Sequence, residues 1–323
     1  MEIGYALASE DWPPLELVGL AERAEEAGFG YALVSDHFHP WLDVQGESPF
    51  VWSVLGGIAE RTERLRVGTG VTCPLIRIHP AIVAHAAATV AAMMPGRFFL
   101  GIGTGENLNE HVLGDRWPAA DERLAMLEEA IEIMRLLWGG GEQTYRGDHY
   151  TVENARLYTL PEEPPPIVVA AAHPNAAELA GRVADGLANT SPDPEVVEEF
   201  EAAGGRGKPR YGMLHVCVAD SEEEGLETAH RLWPNVGLEG EATRELPRPR
   251  HFEDACKTVR PEDLAGSVPC GPDAEGHVEA IRQFAEAGYD HVWVHQIGPD
   301  QAALFELYER EVLPAAGRVA TSG

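Results

Sequence analysis

Short apolar runs recur along this chain, and a stretch with helical character follows each of them. The runs are apolar over consecutive positions, which is typical of parallel strands that are buried on both faces. Eight units of strand and helix predict an α/β fold, a closed (β/α)₈ TIM barrel with insertions. An open, doubly wound sheet is the alternative topology. The eight runs are EIGYALA, YALVSD, LRVGTGVT, RFFLGIGTG, PIVVAAA, GLANTS, RYGMLHVCVA and HVWVHQI.

The segments between the runs add detail to this prediction. The stretch PPLELVGLAERAEEAG predicts an amphipathic helix with Leu15, Val18, Leu20 and Ala24 near one face. A hairpin is expected around YRGDHYTV. We expect residues 1–323 to form a single domain whose main insertion, about residues 234–274, is rich in proline and arginine.

Charge and composition restrict the classes of partner. The formal net charge is -29, from 53 acidic and 24 basic residues, and such a surface repels phosphate backbones. Nucleic acid is therefore not an expected partner. No apolar run is long enough to span a bilayer and the first residues do not resemble a signal peptide, so we expect a soluble, cytoplasmic protein. The four cysteines lack C-x-x-C spacing and are expected to be reduced thiols.

Polar, aromatic and glycine residues collect where the apolar runs end. The active site of a TIM barrel lies at the carboxyl ends of its strands, so we expect these residues to face one pocket. In chain order they are Glu10; Asp36, His37, His39 and Trp41 in SDHFHPW; Gly70, Val71 and Cys73 in TGVTCP; Glu106 and Asn109 in GTGENLN; Ala171, Ala172 and His173 in AAHP; Thr190 in NTS; and His295.

Two kinds of hydrolase are compatible with parts of this set. His37-x-His39, with His173 and His295, suits a metallohydrolase, but the aspartate expected after the last strand is not obvious, and we expect no metal. Glu106 paired with a second carboxylate, Asp36 or Glu10, suits a glycoside hydrolase. The glycines and asparagines of GTGENLN favour a bound cofactor over a sugar chain. A hydrogen-bonding role without a ligand stays open for His39.

Two further segments have small residues where a ligand would approach the backbone. Gly70 before Val71 permits unusual dihedral angles or a strained peptide bond that presses a side chain against a ring; an ordinary bulge is the alternative. In VVAAAHPNAAELAG a helix is predicted to begin near Asn175, and its first amides can bind phosphate without a lysine. Tight packing is the alternative explanation for the small residues there.

Taken together, these segments resemble the bacterial luciferase-like superfamily, and within it the deazaflavin-dependent glucose-6-phosphate dehydrogenase group. The likeness spans nearly the whole chain. It implies a luciferase-like barrel that binds coenzyme F420, a 5-deazaflavin that carries hydride, and relatives of this kind imply a homodimer. The segments that carry the resemblance, in the order of the group, are SDHFHPW, LRVGTGVTCP, FFLGIGTGENLNE, MRLLWGGGEQTYRGDHY and AGRVADGLANTS.

The resemblance also implies roles for matching residues. His37 corresponds to the catalytic histidine beside the substrate hydroxyl, Trp41 to the indole near the reacting carbon, and Glu106 to the glutamate that exchanges a proton with the deazaflavin. The opposite division of proton transfer between His37 and Glu106 stays open. On the cofactor side the matches are Asp36, the non-prolyl cis peptide Gly70–Val71, Cys73, Asn109, Ala171, Ala172 and His173; on the substrate side they are Glu10, His39 and Thr190.

Several positions depart from the glucose-6-phosphate enzymes. Pro192-Asp193 stands where that group has a phosphate-binding lysine, and Asp254 stands near the position of a second lysine, with Lys257 three residues later. Carboxylates at these positions would repel a sugar phosphate. His39 resembles the related deazaflavin-dependent secondary alcohol dehydrogenases, and His173 stands where the group usually has glycine.

The resulting prediction is an oxidoreductase that transfers hydride between coenzyme F420 and the CH–OH group of a small molecule. An unphosphorylated secondary alcohol or sugar is favoured over a sugar phosphate. The alternatives are an FMN-dependent luciferase-like monooxygenase and a metal-dependent or glycoside hydrolase of the same barrel architecture.

Overall fold

Eight parallel strands close into a barrel in the computed structural model, which describes residues 1–238 and 240–319. The strands within the described ranges are β1 Glu2–Leu7, β2 Tyr31–Val34, β3 Arg66–Thr69, β4 Phe98–Ile102, β5 Gln143–Arg146, β6 Thr151–Ala155, β7 Ile167–Ala170, β8 Gly186–Asn189, β9 Arg210–Val216 and β10 His291–Gln296. The order around the barrel is β1-β2-β3-β4-β7-β8-β9-β10, and β10 pairs with β1. Each of the eight apolar runs supplies one barrel strand, which confirms the predicted (β/α)₈ barrel and excludes the open sheet.

Helices connect the successive barrel strands. The α-helices of the described residues are α1 Pro14–Ala27, α2 Val51–Arg61, α3 Pro80–Met93, α4 Asn107–Glu110, α5 Ala120–Trp138, α6 Pro174–Val183, α7 Pro194–Phe200, α8 Glu222–Leu232, α9 Pro249–Cys256, α10 Pro261–Leu264, α11 Ala274–Glu286, α12 Gln301–Leu307 and α13 Leu313–Ala316. Short 3₁₀ segments span His111–Leu113, Pro234–Gly237 and Glu241–Glu245, and π-helical turns span Glu201–Gly205 and Tyr308–Val312. None of the described helices combines the length and hydropathy needed to span a membrane.

Two details of the connections test the sequence analysis. The hairpin is confirmed, because β5 pairs antiparallel with β6 outside the barrel. The predicted buried face of α1 is only partly correct. Val18 and Ala24 are buried as predicted, together with Leu17 and Ala21, whereas Leu15 is 84% exposed. Leu15 lies in the first turn of the helix, before the part that packs on the barrel.

Aromatic rings fill the amino-terminal end of the barrel interior. Tyr31, Phe99 and Tyr211 lie near the starts of their strands, and the rings of Phe99 and Tyr211 stack with centroids 5.4 Å apart. Gly4 and Gly68 leave the space that these rings occupy, since a Cβ atom at either position would overlap Tyr31 or Phe99. Polar groups at the other end of the strands therefore stand above a packed floor.

Residues 234–238 and 240–273, between α8 and α11, pack beside the carboxyl ends of β9 and β10. Val259 and Leu264 of this segment form a buried cluster with Ala8 and Trp233. The ring of Phe252 contacts that of Trp41, with centroids 5.1 Å apart. The segment thus forms part of the wall at the barrel mouth. That the chain is one domain with this segment as its insertion stays a prediction.

We expect Gly101→Ala to destabilise the barrel strongly, because a Cβ atom there would overlap the backbone oxygen of Thr69 on the neighbouring strand. The expected loss in the free energy of unfolding is about 3 kcal/mol, as for other overpacked cores. Denaturant titration measures it. Gly19→Ala is the matched control, since open space surrounds that position on α1, and alanine there should stabilise the helix by about 1 kcal/mol. Equal effects of the two changes would contradict the prediction.

Candidate active site

One cavity of about 1190 Å³ opens at the carboxyl ends of the barrel strands. Its volume exceeds that of most pockets for a single small ligand, so it has room for a cofactor together with a substrate. Most of the residues predicted from the strand ends line this cavity. They are Glu10, Asp36, His37, Trp41, Gly70, Val71, Cys73, Glu106, Asn109, Ala171, Ala172, Thr190 and His295.

Two predicted residues lie outside the cavity lining. The Nδ1 atom of His39 lies 2.9 Å from the carbonyl oxygen of Leu108, so the ring ties two loops together. His173 is exposed and occupies the position before the first turn of α6. Neither side chain is among those that line the cavity, so a contact of His39 with substrate and of His173 with cofactor stays a prediction.

His37 and Glu10 form a pair at the ends of β1 and β2. The His37 Nδ1 atom lies 3.5 Å from Glu10 Oε1 and 3.2 Å from the carbonyl oxygen of His39. Ser35 Oγ donates to Glu10 Oε2 at 2.6 Å, which fixes the buried carboxylate. The ring of Trp41 packs edge-on against the imidazole, with centroids 5.0 Å apart. The imidazole is therefore held in one orientation by a carboxylate, a carbonyl group and an indole ring.

Asp36 belongs to a buried ionic cluster. Arg77 donates from Nη2 to Asp36 Oδ1 at 3.0 Å and from Nε to Glu110 Oε1 at 3.3 Å. Thr72 Oγ1 donates to Asp36 Oδ2 at 2.8 Å. Burial raises the pKa of Glu110, although Arg77 opposes the shift. The cluster joins the loops that follow β2, β3 and β4, and both oxygens of Asp36 are engaged within the protein, which does not suit a free carboxylate of a glycoside hydrolase.

The glycine motifs of β3 and β4 shape one wall of the cavity. The peptide bond between Gly70 and Val71 is cis. Gly105 has a φ of +73°, and a Cβ atom there would come within 2.6 Å of Cys73 Sγ. Burial raises the pKa of Cys73 well above its ordinary value, so its side chain is a neutral thiol. The wall therefore consists of backbone atoms and small side chains that are packed closely against one another.

Asn109 and Glu106 stand where β4 leads into α4. The amide oxygen of Asn109 accepts hydrogen bonds from the backbone N–H groups of Phe38 and His39, at 2.9 and 3.1 Å. Asn109 thereby fixes the loop that carries His37. Glu106 directly precedes α4, is half-buried and lines the cavity.

Some residues of the site were missed by the sequence analysis. His215 on β9 lies opposite His295 in the register of β10, and their Nδ1 atoms are 2.8 Å apart. Asp11 and Trp233 pack against His295 from the other side. The alternation of Met213 and His215 toward the barrel interior was the available signal for His215, whereas nothing local indicated Arg77 or Glu110. Within the described residues no group of three or more His, Cys, Asp and Glu side chains is arranged to hold a metal ion.

The two carboxylates expected to repel a phosphate do not line the cavity. Asp193 caps α7, where its side chain accepts from the backbone N–H of Glu195 at 2.9 Å. Asp254 forms an exposed ion pair with Lys257. Neither carboxylate is among the groups that line the cavity, so the argument from their charge against a sugar phosphate stays a prediction.

The sequence matches the luciferase-like monooxygenase family over residues 1–291. The chain belongs to this luciferase-like family. Two relatives are F420-dependent glucose-6-phosphate dehydrogenases. The protein from Nakamurella multipartita is 35% identical over 325 residues, which cover 97% of this chain and 96% of the relative. The protein from Microbacterium testaceum is 36% identical over 326 residues, which cover 97% of each chain.

The luciferase-like architecture is also found in a solved structure of similar sequence. An F420-dependent secondary alcohol dehydrogenase, determined in complex with an F420-acetone adduct, superposes with a TM-score of 0.91. It is 29% identical to this luciferase-like chain, and the alignment covers 98% of both proteins. The resemblance that the sequence motifs indicated is thus confirmed at the level of the family and of the fold.

We expect Arg77→Met to destabilise the protein by about 3–5 kcal/mol, because it leaves two buried carboxylates without their cation. The free energy of unfolding measures this effect. Arg310→Met is the matched control: Arg310 pairs with Glu306 on the surface, and its loss should cost no more than about 0.5 kcal/mol. A change at Arg77 as small as that at Arg310 would show that the cluster contributes little.

Proposed function

We propose that this protein is a dehydrogenase that transfers hydride between coenzyme F420 and a CH–OH group of a small molecule. The pairing of His37 with Glu10 in the cavity that Glu106 also lines is the observation that carries the proposal. Curated relatives at 35–36% identity are F420-dependent dehydrogenases, which supports the coenzyme and the reaction class.

The residues present fit a flat, ring-shaped cofactor. Gly105, held at close approach to Cys73, is part of a cradle that a Cβ atom would fill. The lining is small and apolar at Gly70, Val71, Ala171 and Ala172, which would hold the ring and the start of the tail. The amino end of α6 follows directly, and a helix terminus of this kind favours an anionic group. When bound, the coenzyme supplies the acceptor or donor of hydride.

His37 is the base for the substrate hydroxyl. A carbonyl oxygen can only accept, so the 3.2 Å contact of His37 Nδ1 with the His39 carbonyl assigns the proton to Nδ1 and leaves Nε2 as the basic nitrogen. Glu10 beside the ring stabilises the imidazolium that forms when Nε2 takes up the hydroxyl proton. A base in this position accelerates proton transfer by a factor on the order of 10² to 10⁴.

Glu106 handles the second proton of the reaction. Oxidation of an alcohol releases a hydroxyl proton, and the coenzyme takes up a proton when it is reduced, so two proton-handling groups are needed. Glu106 is half-buried at the cavity wall and makes no capping bond to α4 that would occupy its carboxyl group. Trp41, fixed against His37 and Phe252, forms the apolar surface beside the reacting carbon.

An unphosphorylated substrate suits the charges of the cavity. Asp36 and Glu110 line the cavity but are paired with the buried Arg77. Among the other described lining residues, the carboxylic acids are Glu10, Glu106 and Asp263, and the basic side chain, apart from histidines, is Arg244. A lining with this excess of acid disfavours a dianionic phosphate. Secondary alcohols and sugars are the proposed substrate class.

The proposal extends to a cytoplasmic homodimer. The four cysteines are free thiols, as is usual in a reducing compartment. Phe38, Val44 and Phe50 are exposed close to the barrel mouth, and apolar groups of this kind support a contact between subunits. Light scattering during gel filtration measures the oligomeric state.

We expect His37→Ala and Glu106→Gln to lower turnover by at least about tenfold while the affinity for the coenzyme changes little, because each removes a proton-handling group. Steady-state rates and coenzyme titrations measure the two quantities. His85→Ala and Glu142→Gln, at exposed positions outside the cavity, are the controls. Unchanged turnover in both site variants would remove the mechanism.

We expect the purified protein to bind the deazaflavin coenzyme and not FMN, since its curated relatives use F420. Absorbance and fluorescence titrations with each cofactor measure binding. Preferential binding of FMN would favour the monooxygenase alternative.

We expect oxidised coenzyme to lose its visible absorbance with unphosphorylated secondary alcohols or sugars and to react more slowly with glucose 6-phosphate. The acidic lining of the cavity is the reason. Values of kcat/KM across a substrate panel measure the difference. A higher kcat/KM for glucose 6-phosphate than for every unphosphorylated compound would overturn the substrate assignment.

A further inference from the structure

A second group of polar side chains, separate from His37 and Glu106, stands at the ends of β1, β9 and β10. We call Asp11, His295 and His215 the histidine relay. Trp233 Nε1 donates to both carboxylate oxygens of Asp11, at 3.1 and 2.9 Å. His295 Nε2 faces Asp11 Oδ2 at 3.5 Å, and His295 Nδ1 lies 2.8 Å from His215 Nδ1. The three residues thus form a chain that leads from a carboxylate to the cavity.

The contacts determine where the protons of the relay lie. His295 Nε2 is fully buried and has no hydrogen-bond partner among the described residues. If Nε2 were unprotonated, its lone pair would face the negatively charged carboxylate of Asp11, which is unfavourable. The proton of the ring is therefore placed on Nε2. His295 Nδ1 then carries the lone pair and accepts from His215 Nδ1–H.

This arrangement leaves His215 Nε2 as an unprotonated nitrogen. His215 lines the cavity, and within residues 1–238 and 240–319 no hydrogen bond reaches its Nε2 atom. Burial and the neighbouring His295 lower the pKa of His215 well below its ordinary value, so the ring stays neutral. The cavity therefore contains a hydrogen-bond acceptor that no described protein group satisfies and that a hydroxyl group of a ligand can pair with.

We infer that His215 Nε2 accepts a hydrogen bond from a second hydroxyl group of the substrate, which makes the substrate a polyol with no phosphate group at this position. This inference rests on the proposed dehydrogenase function and names its substrate class. A hydroxyl group can donate to the nitrogen. An ionised phosphate oxygen has no proton to donate, and its lone pairs would repel the lone pair of His215 Nε2. His215 is a specificity-determining residue, and Asp11 and His295 are positioning residues that set its protonation.

The activity test compares alcohols that differ by one hydroxyl group. Enzyme loaded with coenzyme F420 is assayed with 2-hexanol and with hexanediols that carry the second hydroxyl at increasing distance from carbon 2. We expect the best diol to exceed 2-hexanol in kcat/KM by about tenfold or more, as for a hydrogen bond to a buried group. His215→Phe should remove this preference, so that kcat/KM falls by about tenfold more with the best diol than with 2-hexanol. His85→Phe is the matched control and should retain the preference.

The protonation of the relay is tested without activity. Nitrogen-15 NMR of histidine-labelled protein should show His215 protonated at Nδ1 and unprotonated at Nε2. Asp11→Asn should reverse this pattern, because an amide N–H can donate to His295 Nε2 where the carboxylate only accepts. Addition of the diols should shift the Nε2 resonance of His215, and addition of 2-hexanol should leave it unchanged.

The outcomes separate the two proposals. A protonated Nε2 in the wild-type protein, the absence of any diol preference, or equal losses with diol and 2-hexanol in His215→Phe would overturn the inference. If no alcohol reduces the coenzyme but the diols still shift the Nε2 resonance, the dehydrogenase function fails and hydroxyl recognition by His215 stands. If alcohols react and no diol moves that resonance, the dehydrogenase function stands and the inference fails.

Discussion

Pairing between β1 and β10 closes the barrel, and the chemistry of the cavity depends on this closure. It brings the segment after β1 between two neighbours that are distant in sequence. Glu10 turns toward His37 beyond β2, and the next residue, Asp11, turns toward His295 on β10. Two consecutive carboxylates thereby orient two imidazoles, each packed against its own indole. A sheet left open between β1 and β10 would separate Asp11 from His295.

Hydrogen bonds and ion pairs of buried polar side chains fix the loops at the barrel mouth without a ligand. Arg77 connects Asp36 with Glu110, and Asn109 connects the loop after β4 to that after β2. Gln45 accepts from the backbone of Trp41 and Leu42, which fixes the indole that contacts His37. Hydrogen bonds and ion pairs of this kind favour a site whose geometry is largely fixed before a ligand binds.

The barrel strands could be predicted from the sequence because their burial on both faces is a local property, visible in each apolar run. The strand ends followed from the architecture, and most of the predicted site residues line the cavity for that reason. Side-chain position could not be predicted in the same way: His39 and His173 follow strand ends but are not among the residues that line the cavity. Arg77 and His215 were missed because their partners come from other elements, and a matching position could not indicate that Asp193 caps α7.

The aromatic rings of Tyr31, Phe99 and Tyr211 have a consequence for ligand traffic. They obstruct the amino-terminal end of the barrel, so any ligand of the cavity enters and leaves at the opposite end. Where two ligands share this opening and one lies below the other, the deeper ligand has to arrive first and depart last. The blocked floor of the barrel thus imposes an order of entry on any two ligands stacked in this way.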